Sequence, residues 1–198
     1  ITTNNGKVIY FDPFRLKEEL NDADIMFVRH SHFDHFSPED IMKIKKDTTK
    51  IVVTKDLVEK TIECGFDEQN VLKVLPNNEY SIDGIEFETI PSYNQNKDFH
   101  KREYDWVSYI VKLDDNVVYV AGDTDITPEA LNVKCDIALV PVGGTYTMTA
   151  EEAVELMEHI LPTKYAVPTH YQTIVGSLQD ALKFKELLKE KVEVRVLM

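Results

Sequence analysis

From Arg29 to His35 the chain reads Arg-His-Ser-His-Phe-Asp-His, which puts three imidazoles and a carboxylate, those of His30, His32, Asp34 and His35, within six residues. A hydrophobic core has no use for such a cluster, because each buried ring nitrogen would need its own hydrogen-bond partner. A borderline-soft divalent ion does have a use for it, since imidazole nitrogen and carboxylate oxygen are ligands such ions take. Within a strand-like segment alternate residues project to one side, so His30 and His32 can converge on one ion while Ser31 points away. Asp34 and His35 follow after the chain turns, and they can face a second ion. Paired ions roughly 3.5–4 Å apart clamp the attacking and leaving oxygens in metal hydrolases. Two ions need more than four ligands, so the rest of the chain must supply others.

The elements on either side define where these ligands sit. Ile25-Met26-Phe27-Val28 is an apolar, β-prone run, and Ser37-Pro38-Glu39-Asp40 has the order of an N-cap, a first-turn proline and an acidic first turn. The motif therefore occupies a strand-to-helix loop. Two further segments end near chemistry-bearing residues. Val117 to Ala121 runs into Gly122-Asp123-Thr124-Asp125, where Asp123 is either an ordinary turn aspartate or a carboxylate set at a strand end beside a glycine. Tyr165 to Thr169 leads to His170, where on local sequence alone a lone histidine is more often structural than a ligand.

Strand-like runs recur at Val8 to Phe11, Ile25 to Val28, Ile51 to Val53, Val71 to Leu75, Ile85 to Ile90, Val107 to Leu113, Val117 to Ala121, Ile137 to Val140 and Val192 to Val196. Asp114-Asp115-Asn116 reads as a hairpin turn, so part of the sheet structure is antiparallel. Thr149 and Glu152 form a capping box ahead of Ala150, Ala153, Val154, Met157, Ile160 and Leu161, which share one helical face before Pro162. His159 falls off that face and is expected in solvent. Ser177 caps a second helix whose stripe is Leu178, Ala181, Leu182, Leu187 and Leu188. Strands in this number with helices between them suggest two sheets with helices outside.

The 198 residues, 43% apolar and 10% aromatic, suit one compact domain with a real core. No stretch approaches the eighteen or more apolar residues of a membrane span, and no basic segment leads into a short apolar one as in a signal peptide. The chain starts at Ile1, which leaves room for a removed N-terminal segment. Cys64 and Cys135 fit no metal spacing and no disulfide framework, and read as buried free thiols of a reducing, cytoplasmic compartment. Twenty-two basic residues against 35 acidic ones give a net charge of −13, which repels polyanions at long range. The lysines of Lys43 to Lys46 and Lys183 to Lys191 alternate with apolar or acidic residues as solvated helix faces do.

Taken together, Tyr10-Phe11-Asp12-Pro13-Phe14, the His30 to His35 motif, Tyr93-Asn94 with Phe99-His100, Ala121 to Asp125, Pro141 to Met148, and Pro168-Thr169-His170-Tyr171 resemble the metallo-β-lactamase-fold metal-dependent hydrolases, in the branch related to L-ascorbate-6-phosphate lactonase. The resemblance covers most of the chain. It implies an α/β architecture, an αββα sandwich of mixed sheets with helices outside, built by a single domain over residues 1–198. It also implies that His30, His32 and a later histidine hold one divalent ion, that Asp34, His35 and His170 hold a second, and that Asp123 bridges them. His100 stands where the family order puts the later histidine. Asp12 resembles the aspartate that supports the metal loop by hydrogen bonding. Zinc suits so many imidazoles, and manganese or iron would accept the same mixed shell. Relatives usually open with an additional strand carrying Gly-His-Ala ahead of the segment matching Ile1-Thr2-Thr3. Either that strand is missing here or the first sheet begins one strand later.

The expected function is hydrolysis of a small-molecule lactone, ester or phosphodiester by water activated between the two ions. Asp34 would take a proton, and Tyr171, Thr145 or Tyr146 would steady an oxyanion or donate to the leaving group. The rivals are a phosphodiesterase or nuclease of the same fold and a metal-binding sensor without turnover. Iron-based redox chemistry at the same ligands is a third, disfavoured by the lack of a flavin-binding or rubredoxin-like extension. A small-molecule substrate is the expected partner, with no nucleic acid and no membrane, and with self-association left open.

Overall fold

The computed structural model describes residues 1–197; Met198, the last residue of the domain expected from the sequence, lies outside them. The chain divides into two compact units, Ile1–Leu75 and Pro76–Met198.

The first unit is a four-stranded parallel sheet in the order β1 (Ile9–Phe11), β2 (Ile25–Phe27), β3 (Lys50–Thr54), β4 (Val71–Val74), with α1 (Pro38–Ile44) and α2 (Val58–Glu63) in the connections. Its central strands are near-continuous apolar runs, as strands of parallel sheets are, and Ile25, Met26, Phe27, Ile51, Val52 and Val53 are fully buried. Met26, Val28, Ile51 and Val53 join Ile41 and Ile44 of α1 and Leu57 in one cluster. The expected cap of α1 is present: Ser37 Oγ accepts from the Asp40 amide and Pro38 stands in the first turn. Asp40 then accepts from the amides of Arg15 and Leu16, each at 2.9 Å, and so pins the loop that follows β1 onto α1.

The second unit is a seven-stranded sheet, in the order β11 (Glu193–Val194), β10 (Tyr165–Thr169), β9 (Ile137–Pro141), β8 (Asn116–Val120), β7 (Val107–Leu113), β6 (Ile85–Pro91), β5 (Asn78–Ile82). The strands from β5 to β8 are antiparallel and those from β8 to β11 parallel, so the sheet is mixed. The hairpin expected at Asp114-Asp115 joins β7 to β8, with Asp114 in the left-handed region at φ 51°. α3 (Ala150–His159) and α4 (Leu178–Leu188) pack their apolar faces into one cluster with β8, β9 and β10. The Thr149–Glu152 capping box forms, and His159 is exposed as its phase requires.

The stripe read for α4 needs correction. Ala181, Phe184 and Leu188 form the buried face, whereas Leu182 and Leu187 are exposed. A helix rich in leucine offers two overlapping apolar stripes, and the larger ring takes the core. Two strands were also not read as such. β5 is a polar edge strand without an apolar run, and β10 contains Pro168, a residue that ordinarily argues against a central strand.

The corrected helix phase predicts that Phe184→Ala costs about 3–5 kcal/mol of stability, while Leu182→Ala stays within about 0.5 kcal/mol of wild type. Denaturant unfolding checks this, and the reverse ranking would restore the original stripe.

Candidate metal centre

In the first unit the motif forms the loop between β2 and α1. His30 and His35 are almost fully buried, their rings 3.9 Å apart between centroids, and His32 and Asp34 are half-buried. His30 Nε2 and His32 Nδ1 face each other at 3.1 Å, and His35 Nε2 lies 3.4 Å from Asp34 Oδ2. His30 thus faces His32, and Asp34 faces His35. Asp12, at the end of β1 with φ 44°, holds it from below. Its Oδ1 accepts from the Arg29 amide at 3.0 Å, and its Oδ2 accepts from both Arg29 Nε and His35 Nδ1. Burial pushes the Asp12 carboxyl up, but the Arg29 charge and the hydrogen bonds from His35 and Arg29 outweigh it and leave the group below the ordinary aspartate range. A carboxylate only accepts, so the His35 proton sits on Nδ1 and Nε2 keeps the lone pair that a metal needs.

In the second unit, Asp123 follows β8, His170 directly follows β10, and His100 lies in the connection from β6 to β7. One oxygen, Asp123 Oδ2, stands 3.0 Å from His170 Nε2 and 3.4 Å from His100 Nε2. His100, buried beside Trp106 with centroids 5.7 Å apart, is oriented by Asn94. The Asn94 amide nitrogen donates to Asp125 Oδ1 and to the Tyr146 carbonyl, which turns its oxygen toward His100. That oxygen accepts from the His100 amide at 3.2 Å and from Nδ1 at 2.9 Å, so Nε2 again keeps its lone pair.

Close backbone approach makes these strand ends possible. A Cβ on Gly122 would collide with Ser92 Oγ and lie 2.9 Å from the Val107 carbonyl, so only glycine lets β8 turn into Asp123 there. A Cβ on Gly143 would collide with the carbonyl of His170, itself at φ 54°. Asp125 accepts from the Gln95 amide at 2.8 Å and pairs with Lys97, securing the His100 loop to the strand end that carries Asp123.

All seven ligand residues expected from the sequence are candidate metal-binding groups. Their chemistry fits a metal. Around a tetrahedral ion with bonds of about 2.0–2.1 Å, neighbouring donor atoms stand about 3.3 Å apart. The four donor pairs described above, at 3.0–3.4 Å, match that edge. Five of the six histidines take part, and His159 does not. Of the residues expected to assist, Thr145 is exposed at φ 24°, and Tyr146 is half-buried with its ring edge-on to Phe99. The Tyr171 hydroxyl donates to the Leu197 carbonyl at 2.7 Å. Sequence reasoning gave no role to Arg29 or Asn94. The Tyr93-Asn94 pair was visible, but its hydrogen bonds join residues up to 52 positions apart and leave no local pattern.

The model of the Beta-lactamase superfamily domain matches residues 1–170, and with this fold and donor set it defines a metallo-β-lactamase-fold metal protein. A UPF0173 metal-dependent hydrolase of Thermococcus kodakarensis is 32% identical, over 97% of this chain and 89% of its own length. A second, from Pyrococcus horikoshii, is 33% identical with the same coverage. The chain therefore belongs to the UPF0173 metal-dependent hydrolase family of the metallo-β-lactamase superfamily. The crystal structure of Igni18, a metallo hydrolase from Ignicoccus hospitalis, shares the fold at a TM-score of 0.72 and 23% identity, over 91% of this chain and 81% of its own.

Asp12→Ala strands Arg29 and His35 without their buried anion. It should cost about 3–5 kcal/mol of apoprotein stability near neutral pH and weaken metal binding about 10–100-fold. Because the folded-state pKa is depressed, this stability is present above the ordinary aspartate value of about 4 and is lost as pH falls through the lower folded value. Urea unfolding across pH should therefore show the two proteins converging in acid. A constant difference, or none, would contradict the assignment.

Proposed function

We propose that the two donor sets act together as a dinuclear centre for hydrolysis of a small-molecule lactone or carboxylic ester, as in the lactonase-like branch that the motifs resemble. His30, His32 and His100 would hold one ion, and Asp34, His35 and His170 the other. Asp123 would serve both. The observation that carries this reading is the single Asp123 oxygen facing two imidazole nitrogens, as a bridging ligand must. Two divalent ions held by these residues, zinc being favoured by the five imidazoles, would acidify water and polarise the bond under attack.

The protein's own groups complete the reaction. Asp34, half-buried beside His35, takes a proton from the water whose oxygen bonds to the acyl carbon. The bond from that carbon to the leaving oxygen then breaks, and the leaving oxygen takes up a proton to give acid and alcohol. Tyr146 and Thr145, on the loop after β9, would donate to that oxygen or to the developing oxyanion. Tyr171 fits the role less well while its proton is committed to Leu197. The charge of −13 favours a small substrate over a nucleic acid. No helix among the described residues is long and apolar enough to cross a membrane.

Turnover by the metal-loaded protein of lactones, carboxylic esters, phosphodiesters and single-stranded RNA tests the proposal. Lactone or ester hydrolysis should exceed cleavage of the phosphodiesters, RNA included. Asp123→Ala should reduce it by more than the roughly 10–100-fold typical of an outer supporting residue. Faster cleavage of RNA or another phosphodiester would assign the centre to phosphodiesters, and turnover of none would leave a metal-binding sensor.

A further inference from the structure

Within the second unit, Asn94 closes a loop. Its backbone amide donates to the His100 carbonyl at 2.7 Å, and its side-chain oxygen accepts from the His100 amide at 3.2 Å and from Nδ1 at 2.9 Å. Residues 95–99, which form neither helix nor strand, are therefore stapled at their base by the same three bonds that set the histidine. Two contacts from this loop reach Tyr146. The Asn94 side-chain nitrogen donates to the Tyr146 carbonyl at 2.9 Å, and the Phe99 ring meets the Tyr146 ring edge-on, with centroids 4.6 Å apart at 81°. Tyr146 is thus held at its backbone and at its side chain by the loop that carries His100.

The turn to which Tyr146 belongs is strained. Gly144 at φ 70° and Thr145 at φ 24° lie consecutively at positive φ, and for a β-branched residue such as threonine that conformation is an outlier. The turn closes on itself through the Thr147 amide, which donates to the Gly144 carbonyl at 2.6 Å, and the Gly144 amide, which donates to the Met148 carbonyl at 3.0 Å. Strained backbone persists only where the surroundings over-determine it, and it gathers at functional sites. Asn94 and Phe99 belong to those surroundings.

We propose that Asn94 is a positioning residue with two outputs: it presents His100 Nε2 to a divalent ion and, together with Phe99, holds the turn of residues 143–148, so that ion binding at His100 orders that turn. An ion on Nε2 fixes the imidazole, and the imidazole fixes the Asn94 side-chain oxygen through Nδ1. The planar amide carries the constraint on to the nitrogen that holds the Tyr146 carbonyl. Coupling of this kind is reciprocal, so loosening the turn weakens the ion at His100. The inference rests on the reading of His100 as a ligand, and it needs neither turnover nor a role for the Tyr146 hydroxyl.

Trp106, the one tryptophan of the chain, is buried with its ring centroid 5.7 Å from that of His100, and its emission reports an ion there. The full chain, free of metal, is titrated with zinc while that emission is followed, and hydrogen exchange of residues 143–148 is measured by mass spectrometry with and without zinc. In wild type zinc should change the emission and slow the exchange. A carboxylate only accepts, so Asn94→Asp keeps the partner of His100 and loses the donor to Tyr146. It should bind zinc within about tenfold of wild type, against a loss of up to about 100-fold in Asn94→Ala, while zinc no longer slows exchange in the turn. Phe99→Ala should weaken zinc by about two- to tenfold, the worth of one aromatic pair, and diminish the slowing. Tyr146→Phe keeps the ring contact and should match wild type in both readouts. Emission that responds to zinc without any slowing in wild type, or slowing that persists in Asn94→Asp and Phe99→Ala, would overturn the coupling and leave His100 a ligand. Emission indifferent to saturating zinc would overturn the proposal together with the reading of His100 on which it rests. Should Asn94→Asp fail to fold or to bind zinc, Phe99→Ala decides, and undiminished slowing there overturns the proposal.

Discussion

A divalent ion takes only atoms that face it with a lone pair, and that requirement governs the rest of this structure. An imidazole has two nitrogens and rotates freely about its side-chain bonds, so something else must choose which nitrogen is offered. His35 is fixed by the Asp12 carboxylate and His100 by the Asn94 amide oxygen, both groups accepting at Nδ1 and leaving Nε2 for the site. Each acceptor is itself fixed. Arg29 donates to Asp12 through its backbone and its side chain, and Asp125 and the Tyr146 carbonyl hold Asn94. Burying an unpaired charge or amide is costly, and these chains of partners are what make the burial tolerable.

The backbone meets the same requirement by other means. Asp123 and His170 stand just past strand ends, where the chain must leave the sheet sharply and pass close to its neighbours. Gly122 and Gly143 allow that passage, since any side chain would strike Ser92 in one case and the His170 carbonyl in the other. The connection that carries His100 has little regular structure, and polar latches replace it. Asp125 holds its first half, and the Arg102 ion pair with Glu129, reinforced by the Tyr93 hydroxyl, holds its second. A loop so tied can keep a ligand in place without helix or strand geometry.

What was legible in the sequence was local. His30 to His35 declares its chemistry within six residues, and the Thr149–Glu152 box and the Asp114 hairpin declare their structure within four. Resemblance extended the reading to His100, Asp123 and His170, each of which is ambiguous alone. What could not be read depends on distant contacts. β5 is polar because it is an edge strand, and β10 tolerates Pro168 within parallel pairing to β9. The phase of α4 is decided by which side chain the core accepts, and it accepts Phe184 over Leu182. The part played by Asn94 depends on a hydrogen bond to a loop half a sheet away in sequence.

The central claim is that these donors form one centre for two ions, and metal stoichiometry addresses it most directly. Apoprotein titrated with excess zinc, freed of unbound metal and measured by elemental analysis should retain about two ions per chain, because seven ligands exceed what one tetrahedral ion can use. A saturating value of about one per chain would contradict the dinuclear centre while leaving metal binding in place.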